Sequence, residues 1–473
     1  MNILLTGATG YIGRRLLPVL LQQGHQVICC VRDRHRFSTA GLPATQISVI
    51  EVDFLDHGSL AALPDSIDAA YYLIHSMSAT TSAFDDLEKR AAQNFVKALQ
   101  GKRVRQVIYL SGIANADHLS KHLSSRKNVE EILQSGEHPL TTLRAGIIVG
   151  SGSASFEIIR DLVEKLPVMV APKWLNTPTQ PIAVRDVITC LTGVLFHRNT
   201  YDQAFDIGGP NVLTYRQMLQ IFARVRGLKR TILTVPVMTP RLSSYWLYFV
   251  TSTSYQLAVN LVNSMKVETI CADQRLMELL DLQPVSYEDA VRMAFARIAN
   301  QDIQSSWKDA QSSDVLDRGI SELVQVPEYG CLHDRRTRII TDPKKVFDRI
   351  WSIGGDTGWY YGNWLWNLRG FLDKLVGGVG LRRGRRSATQ LVAGDALDFW
   401  RVLYANQEEK RLLLYAEMKL PGEAWLEFRI SDQELVQTAT FRPLGLLGRL
   451  YWLVLLPFHG PIFGGMIRRI ASA

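Results

Sequence analysis

The chain begins with a group of glycines whose spacing suits the binding of a diphosphate. Residues 6–13 read TGATGYIG, and Gly7, Gly10 and Gly13 directly follow a short apolar strand. Glycine permits a tight turn and lets backbone N–H groups approach a pyrophosphate closely. The helix RRLLPVLLQQG comes next, and the positive end of its dipole favours the same anion. The segment therefore predicts a dinucleotide site, to which the other loop residues also contribute: Thr9, Tyr11 and Ile12.

The end of the next strand indicates which dinucleotide fits. The strand HQVICCV is followed by Arg32 and Asp33, with Arg34 and Arg36 close behind. An arginine at this position accommodates the 2′-phosphate of NADP, whereas an acid holds the ribose 2′-hydroxyl of NAD. Arg32 favours NADP as the cofactor, while Asp33 leaves NAD open. Arg34 and Arg36 fit exposure to solvent as well as they fit a phosphate contact.

Strand and helix patterns alternate through the first 150 residues. Strand-like segments at ISVIEVDFLD, AAYYLIHSM, VRQVIYLSGI and LTTLRAGIIVG enclose predicted helices at 82–100 and 120–135. Such alternation predicts an α/β fold, with a doubly wound parallel sheet and helices on both faces. Ligands bind at the carboxyl ends of strands in such sheets. The candidates by position are Asp53, Phe54, His75, Ser76 and Ser111.

Taken in order, these motifs resemble the short-chain dehydrogenase/reductase superfamily, in its extended and atypical NmrA-like branches. The matching segments are TGATGYIG, EVDFLD, YYLIHSM, IYLSGIA, LRAGIIVG, PIAVRDV and FDIGGP. The resemblance implies a Rossmann domain with a small substrate lobe, which binds NAD(P) with the three glycines at the pyrophosphate. It also implies that Asp53 and Phe54 lie beside the adenine and that His75 and Ser76 lie near the nicotinamide ribose. Ser111 matches a serine that polarises a substrate carbonyl.

The chain lacks the acid–base pair that this resemblance implies. Enzymes of the superfamily use a tyrosine to donate a proton, and a lysine four residues later lowers the pKa of that tyrosine. Between Tyr109 and Tyr201 there is no tyrosine, and HLSSR places His122 and Arg126 at the same spacing. A histidine can donate a proton near neutral pH, and a nearby arginine would lower its pKa by charge repulsion. Two interpretations stay open: altered catalysis by Ser111, His122 and Arg126, or cofactor binding without catalysis.

A polar, serine-rich segment separates a second pattern from the first. We place a linker at 301–320, between an NAD(P)-binding domain at 1–300 and another domain at 321–473. Beyond the linker, a helix with Asp342 as its N-cap precedes four strands and a long apolar helix. This order resembles the α+β helix-grip fold of START and polyketide-cyclase proteins, in which a curved sheet wraps the last helix around a cavity.

Composition limits the partners and the cellular setting. The net charge is +8, but RRGRR at 382–386 is the only basic cluster, and we interpret it as a solvated loop. Nucleic acid is therefore not an expected partner. The five cysteines include no CxxC pair, which predicts a reducing, cytoplasmic setting without a zinc site. The C-terminal segment LYWLVLLPFHGPIFGGMI fits a packed helix better than a membrane span, because it contains two prolines and three glycines.

The leading functional prediction is an NADP-preferring oxidoreductase that acts on an apolar or lipid-like small molecule. The stretch at 241–265 is rich in aromatic and aliphatic residues, and it suits either a core helix pair or the wall of such a pocket. Two alternatives remain. One is a non-catalytic NADP(H)-sensing or assembly protein, and the other is a lipid-binding protein that contacts a membrane peripherally through its C-terminal helix.

Overall fold

The protein was analysed as a computed structural model in which the chain divides into two compact units. Unit 1 comprises Met1–Arg34, Thr39–Thr251 and Tyr255–Gln311, and unit 2 consists chiefly of Ser312–Ala473. The structure describes residues 1–32, 34, 37, 39, 42–74, 84–115, 121–235, 259, 262–299, 326, 331–380, 385, 387, 390–431 and 433–472. The predicted linker at 301–320 lies outside the described residues, so its position stays a prediction.

Unit 1 alternates strands and helices along most of its length, as the sequence predicts. In chain order the elements are β1 (Asn2–Leu5), α1 (Gly13–Gln22), β2 (Gln26–Val31), β3 (Ile47–Glu51), β4 (Ala69–Tyr72), α2 (Phe84–Leu99), β5 (Gln106–Gly112), α3 (Lys121–Gln134), β6 (Leu140–Ala145), β7 (Ile148–Val149), α4 (Ala154–Lys165), β8 (Val168–Pro172), β9 (Pro178–Thr179), β10 (Ile182–Ala183), α5 (Val184–Gly193), β11 (Gln203–Ile207), β12 (Leu213–Thr214), α6 (Tyr215–Val225), β13 (Thr231–Val235), α7 (Arg275–Leu279) and α8 (Tyr287–Ala299). The predicted helices at 82–100 and 120–135 match α2 and α3 closely. The third and fourth strands end earlier than their sequence patterns suggest.

Seven of these strands form one parallel sheet, which confirms the predicted doubly wound fold. The strand order is β11-β6-β5-β4-β1-β2-β3. The chain first moves outward from β1 to β3, and it then restarts at β4 on the opposite side of β1. A reversal of this kind opens a crevice at the carboxyl ends of the two central strands, where open α/β sheets bind their ligands. The crevice of unit 1 therefore lies between the ends of β1 and β4.

Two apolar clusters position the crevice and a smaller lobe. In the first, α2 and α3 cover β4 and β5, and the buried Tyr72 ring packs edge-on against Phe95 at 4.9 Å and against Tyr109 at 5.9 Å. In the second, α4, α6 and α8 pack around Phe156 and Phe222, whose ring centroids are 5.5 Å apart. The second cluster corresponds to the predicted substrate lobe. Most of the apolar stretch at 241–265 lies outside the described residues.

In the described part of unit 2, an antiparallel sheet is accompanied by three helices. Its elements are β14 (Leu332–Ile339), α9 (Pro343–Trp351), α10 (Asn363–Leu375), β15 (Ala396–Leu397), β16 (Trp400–Asn406), β17 (Arg411–Ala416), β18 (Gly422–Ser431), β19 (Glu434–Pro443) and α11 (Gly445–Ala471). The sheet order is β14-β19-β18-β17-β16-β15, so the first strand pairs with the last. Asp342 caps α9 by accepting bonds from the N–H groups of Lys344 and Lys345, as its position in the sequence predicts. The helix-grip resemblance itself stays a prediction.

The long helix α11 has two halves with different surroundings. Phe463, Met466, Ile467 and Ile470 are buried in the core of unit 2, as expected of a packed helix. The half before them is largely exposed. Among the described residues, one helical segment, Leu446–Ala471, has the length and apolar composition that a membrane crossing requires. A third of its most apolar window (33%) is buried within the protein.

The basic cluster at 382–386 contributes to the structure of unit 2. Of its members, Arg385 is described, and its guanidinium donates hydrogen bonds to the carbonyl oxygens of Ile353 and Trp351, both at 2.7 Å. Arg385 therefore joins its own segment to the end of α9. The prediction of a fully solvated loop is wrong for this residue, because the basic spacing alone does not show that backbone acceptors lie within reach.

A fully buried ion pair links β16 to the loop after β17. The guanidinium of Arg401 donates to both carboxylate oxygens of Glu417, at 2.9 and 3.1 Å, and neither side chain is exposed. Arg401 also donates to the carbonyl oxygen of Gly394 at 2.8 Å. A buried charge that loses its partner is costly, whereas replacing both partners by apolar groups is far less so.

We expect Glu417→Gln to lower the free energy of unfolding of unit 2 by about 3 kcal/mol, because it leaves the Arg401 charge buried without a counter-ion. Urea unfolding followed by tryptophan fluorescence measures the loss, since seven of the ten tryptophans lie after residue 331. The double variant Arg401→Met/Glu417→Leu should lose less than the single variant. A single variant as stable as the unmodified protein would contradict this account of the pair.

Candidate dinucleotide-binding site

The glycine loop is packed tightly at the carboxyl end of β1. Gly7 has a φ of +66°, and a Cβ on it would lie 2.6 Å from the carbonyl oxygen of Leu73, directly after β4. A Cβ on Gly13 would clash with the carbonyl oxygen of Gly7. The amide of Gly10 donates to that same carbonyl oxygen at 2.9 Å. The loop therefore has room for backbone only, which is the condition for close approach to a pyrophosphate.

A threonine joins the two strand ends that border the crevice. The hydroxyl of Thr6 is buried, donates to the carbonyl oxygen of Tyr71 at 2.9 Å, and accepts from the N–H of Leu73 at 3.1 Å. These bonds fix the end of β1 to the end of β4 and so set the width of the crevice. The sequence analysis did not single out Thr6, although its place directly before Gly7 marks the end of the first strand.

The start of α1 suits an anion. The helix begins at Gly13, its N-cap residue Ile12 provides no side-chain hydrogen bond, and no acidic residue occupies its first turn. The first N–H groups of a helix lack partners within the helix and carry the positive end of its dipole. A diphosphate placed at this end would accept bonds from these groups. The arrangement is the one predicted from the TGATGYIG segment.

Arg15, which was not predicted from the sequence, contacts the glycine loop. Arg15 is buried, its guanidinium lies 4.0 Å from the centre of the Tyr11 ring, and it donates to the carbonyl oxygen of Tyr11 at 3.2 Å. A further bond at 2.8 Å reaches the carbonyl oxygen of Ser151, after β7. Arg15 thus joins the glycine loop to the segment that leads into the substrate lobe. A cation one turn into a helix gives no sequence signal that it is buried.

Two arginines after β2 differ in their contacts: Arg32 is exposed, and Arg34 forms hydrogen bonds within the protein. Arg32 is exposed directly after the strand. The backbone N–H of Arg34 donates to the Glu51 carboxylate at 2.8 Å, and its guanidinium donates to the carbonyl oxygen of Val49. Arg32 is therefore better placed than Arg34 for a 2′-phosphate. The competing candidate Asp33 and the cation Arg36 lie outside the described residues.

At the end of β3, the two predicted adenine residues point in different directions. The carboxylate of Asp53 accepts from the N–H of Leu55 at 3.0 Å, and the residue is half-buried. The ring of Phe54 is buried against Phe95, with the ring centroids 5.6 Å apart. The Phe54 side chain belongs to the core, so only the backbone of this residue can contact an adenine. Alternation along an extended chain accounts for the opposite directions of the two side chains.

The predicted catalytic residues are partly assembled at the end of β5. Arg126 on α3 donates to the carbonyl oxygen of Leu110 at 2.9 Å, and its guanidinium lies 3.5 Å from the hydroxyl of Tyr109. Ser111 is buried at the end of the strand, and its hydroxyl acts to lower the pKa of Tyr109. The structure thus brings Ser111 and Arg126 to the same strand end. His122 lies on α3, but its side chain is outside the described part of the chain, as are His75 and Ser76.

Tyr109, which is not among the residues predicted from the sequence, contacts Arg126 and lies two residues before Ser111 on the same strand. Burial raises the pKa of Tyr109, against the lowering effect of the Arg126 charge. Burial alone would lower the pKa of Arg126, but Tyr109 and Glu88 outweigh it and raise that pKa. At neutral pH the phenol is therefore neutral and the guanidinium is charged. A proton donor needs a pKa near the working pH and access to its substrate. Tyr109 is buried and its pKa is raised, so it positions its neighbours and does not donate a proton itself.

The substrate lobe contains an apolar cavity between α4, β8 and α6. Trp174 and Tyr215 form one side, with ring centroids 6.5 Å apart and planes nearly perpendicular. The indole N–H of Trp174 is buried and has no hydrogen-bond partner among the residues that the structure describes. The cavity therefore suits a largely apolar ligand that carries a hydrogen-bond acceptor. Its other walls come from Ile158, Ile159, Leu162, Met169, Ala171, Pro172, Leu175, Leu219 and Met265.

Comparison with known families supports the assignment of unit 1. Residues 7–152 match the model of a family described as NAD(P)H-binding. Residues 331–466 match a family described as a protein of unknown function (DUF2867). The first match covers the glycine loop, the crevice and the end of β5, whereas the second covers most of unit 2 and names no activity.

Curated relatives match about half of the chain. The 40 kDa subunit of mitochondrial NADH-ubiquinone oxidoreductase from Neurospora crassa is 25% identical over 239 residues, which are 49% of this chain and 61% of that protein. The chloroplastic divinyl chlorophyllide a 8-vinyl-reductase of Zea mays is 23% identical over 251 residues, 50% of this chain and 62% of the relative. The photosystem II assembly factor Ycf39 of Synechocystis is 21% identical over 50% of this chain and 71% of its own length. The chain thus spans less than two thirds of the first two relatives.

Among solved structures, the epimerase Mth375 from Methanothermobacter thermautotrophicus is similar in fold. It superposes with a TM-score of 0.51 and 14% identity, over 64% of this chain and 94% of that one. This likeness shows the fold alone. Together with the match of residues 7–152 to the NAD(P)H-binding family model, it supports an NAD(P)-binding Rossmann domain in the first half of the chain.

We expect Gly13→Ala to weaken the binding of NADP(H) and NAD(H) by about tenfold or more, equivalent to ~1.4 kcal/mol per factor of ten. The added methyl group would push the glycine loop away from α1. Calorimetric titration measures the dissociation constant. Gly460→Ala is the matched control, because a Cβ there meets no heavy atom within 4 Å. Equal affinity of Gly13→Ala and the unmodified protein would contradict the assigned role of the loop.

Proposed function

We propose that the protein is an NADP(H)-dependent oxidoreductase that acts on an apolar substrate. The observation that carries the proposal is the meeting of Ser111 and Arg126 at the carboxyl end of β5, one strand beyond the crevice. A hydroxyl donor and a fixed positive charge at this point can stabilise negative charge that develops on a substrate oxygen or carbon. The cofactor supplies the hydride chemistry, and the chain supplies binding, orientation and charge.

The glycine loop and Arg32 support the proposed choice of cofactor. The loop and the start of α1 offer amides to a diphosphate, and exposed Arg32 offers a cation to a 2′-phosphate at the end of β2. Since Arg34 is engaged by Glu51 and Val49, Arg32 is the cation among the described residues after β2 that supports a preference for NADP over NAD.

The cavity in the substrate lobe supports the proposed class of substrate. Its walls are aliphatic and aromatic, and the buried N–H of Trp174 is the polar group that would orient a ligand within it. The cavity has a volume of about 40 Å³, so it suits the apolar end of a carbonyl compound or a conjugated alkene. The reductase from Zea mays among the relatives reduces a vinyl group according to its name, which is consistent with this class.

A second candidate function, NADP(H)-dependent assembly or sensing without catalysis, is favoured by a different observation. The guanidinium of Arg126 is engaged with Leu110 and Tyr109, and no tyrosine occupies the position four residues before it. Such a site could keep the cofactor as a structural ligand whose occupancy stabilises one arrangement of the protein. One relative is named as an assembly factor and another as a subunit of a larger oxidoreductase.

We expect Arg32→Ala to raise the dissociation constant of NADP+ by about tenfold or more, since a charged hydrogen bond to phosphate contributes roughly 1.5–3 kcal/mol. The dissociation constant of NAD+ should not change, because it lacks the 2′-phosphate. Arg34→Ala is the matched control and should leave both constants near their original values. Equal losses for the two cofactors in Arg32→Ala would show that Arg32 does not read the 2′-phosphate.

Turnover distinguishes the two candidate functions. With a panel of apolar aldehydes, ketones and conjugated enones, we expect consumption of NADPH, measured by loss of its absorbance. Ser111→Ala should lower kcat about a hundredfold, the typical cost of removing a donor to a developing oxyanion, without weakening NADPH binding. Ser135→Ala, at the exposed end of α3, is the control and should keep full activity. Tight NADPH binding with no turnover of any substrate would instead favour the assembly or sensing function.

A further inference from the structure

Helix α10 of unit 2 turns its apolar side outward. Five large side chains lie on one face with the spacing i, i+4, i+7, i+8 and i+11, and each is between 47% and 68% exposed: Trp364, Leu368, Phe371, Leu372 and Leu375. The opposite face buries the polar residues Asp373 and Lys374. A helix on a water-facing surface ordinarily shows the reverse distribution. The exposed face of α10 is therefore suited to an apolar environment.

The orientation of α10 is fixed by its buried acid. The carboxylate of Asp373 accepts from the N–H of Gly380 at 2.9 Å and from the N–H of Lys419 at 2.7 Å, and the residue is fully buried. A rotation that brought the apolar face inward would break both bonds and bring Asp373 out of its pocket. The outward apolar face is thus built into the packing of unit 2.

The first half of α11 exposes a second apolar surface. Leu446, Leu447, Leu450, Leu453 and Val454 are between 49% and 74% exposed. Their spacing of i, i+1, i+4, i+7 and i+8 again defines one helical face. Leu456 and Phe458 continue this surface with exposed fractions of 50% and 51%.

The two helices contact each other, so these faces belong to one region of unit 2. The positive charge of Arg369 on α10 acts to lower the pKa of Tyr451 on α11, so these two side chains lie near each other. Further along, the rings of Trp366 and Phe463 pack edge-on with centroids 6.1 Å apart. We call the outward apolar side chains of α10 and of the first half of α11 the two-helix face. It groups at least ten large, exposed apolar side chains, whereas single scattered ones are normal on soluble surfaces.

The exposed half of α11 and the segment beside α10 each carry a cation. From Leu444 to Phe458 the sequence contains one arginine and no aspartate or glutamate, whereas the preceding Arg442 is paired with Glu423. Arg449 lies within the exposed half of α11, and Lys419 is an exposed cation beside Asp373 of α10. Apolar side chains combined with cations are the features by which a helix lies in the interface of an anionic bilayer.

We propose that the two-helix face docks unit 2 onto the surface of an anionic lipid bilayer, with α10 and the start of α11 lying in the interface. The stretch of α11 that exposes large apolar side chains, Leu446–Phe458, is about 20 Å long at 1.5 Å per residue, too short for the ~30 Å hydrocarbon core. Crossing would also require its second half to leave the core of unit 2, where Met466, Ile467 and Ile470 are fully buried. A second copy of the chain would bring like charges together. The proposal uses unit 2 alone and does not depend on the function proposed for unit 1.

Vesicle sedimentation of the full-length protein tests the proposal. The protein should pellet with vesicles of phosphatidylcholine and phosphatidylglycerol, bind less to phosphatidylcholine alone, and be released by alkaline carbonate. The double variant Phe371→Glu/Leu453→Glu should reduce the partition coefficient at least about tenfold, because it places two anions in the face. Ile339→Glu is the control: Ile339 is 78% exposed and lies outside both helices, so binding should be unchanged. Unchanged NADPH affinity and melting temperature verify that each variant is folded.

Trp364 provides a second measurement that separates interfacial docking from other occupants of the face. In the full chain it is 68% exposed, so docking should shift its emission to the blue and make it accessible to quenching by brominated lipids. Trp364→Phe should abolish most of this change and retain sedimentation. Three results would overturn the proposal: no binding to anionic vesicles, equal binding of the double variant, or a soluble dimer that the double variant dissociates. Resistance to carbonate release would also overturn it, in favour of a membrane span.

Discussion

The dinucleotide crevice depends on one steric constraint. The turn after β1 packs so closely against the end of β4 and the start of α1 that its contact positions have no room for side chains. Gly7 lies against the backbone of Leu73, Gly13 lies against Gly7, and Thr6 bonds both strand ends. Any side chain at these positions would separate the elements whose amides face the crevice. The strand order of the sheet reverses at the same place and opens the crevice there. The turn after β1 therefore lies at the crevice and lines it with amides that can bind an anion.

The features that could be predicted from the sequence are those that depend on residues close together in the chain. The glycine spacing and the alternation of strands with helices each depend on a few neighbouring residues, and the structure has them in the predicted places. Phe54 illustrates the limit of such reasoning. The family resemblance implied an adenine contact for it, but its ring faces Phe95, which lies 41 residues later on a helix. Arg15 is similar, since its acceptor at Ser151 is brought near only by the fold.

Unit 2 shows the same limit for a whole helix. The sequence of α10 is apolar on more than one side, so hydrophobic periodicity does not decide which side faces the core. The orientation of α10 is instead set by Asp373, whose carboxylate accepts hydrogen bonds from the backbone N–H groups of Gly380 and Lys419. A sequence pattern would assign that acid to solvent. The apolar C-terminal segment predicts α11 as one packed helix. In the structure, one half of this helix is buried and the other half is exposed.

The central claim is that unit 1 binds a dinucleotide through the bare turn after β1, and thermal unfolding in the presence of NADPH tests it most directly. A ligand that binds only the folded state stabilises it by about 2.7 kcal/mol at a hundred times its dissociation constant. We predict a saturable rise in melting temperature with NADPH, accompanied by one binding event per chain in calorimetry. A melting temperature that is the same with and without NADPH and NADH, together with no heat of binding, would contradict the account.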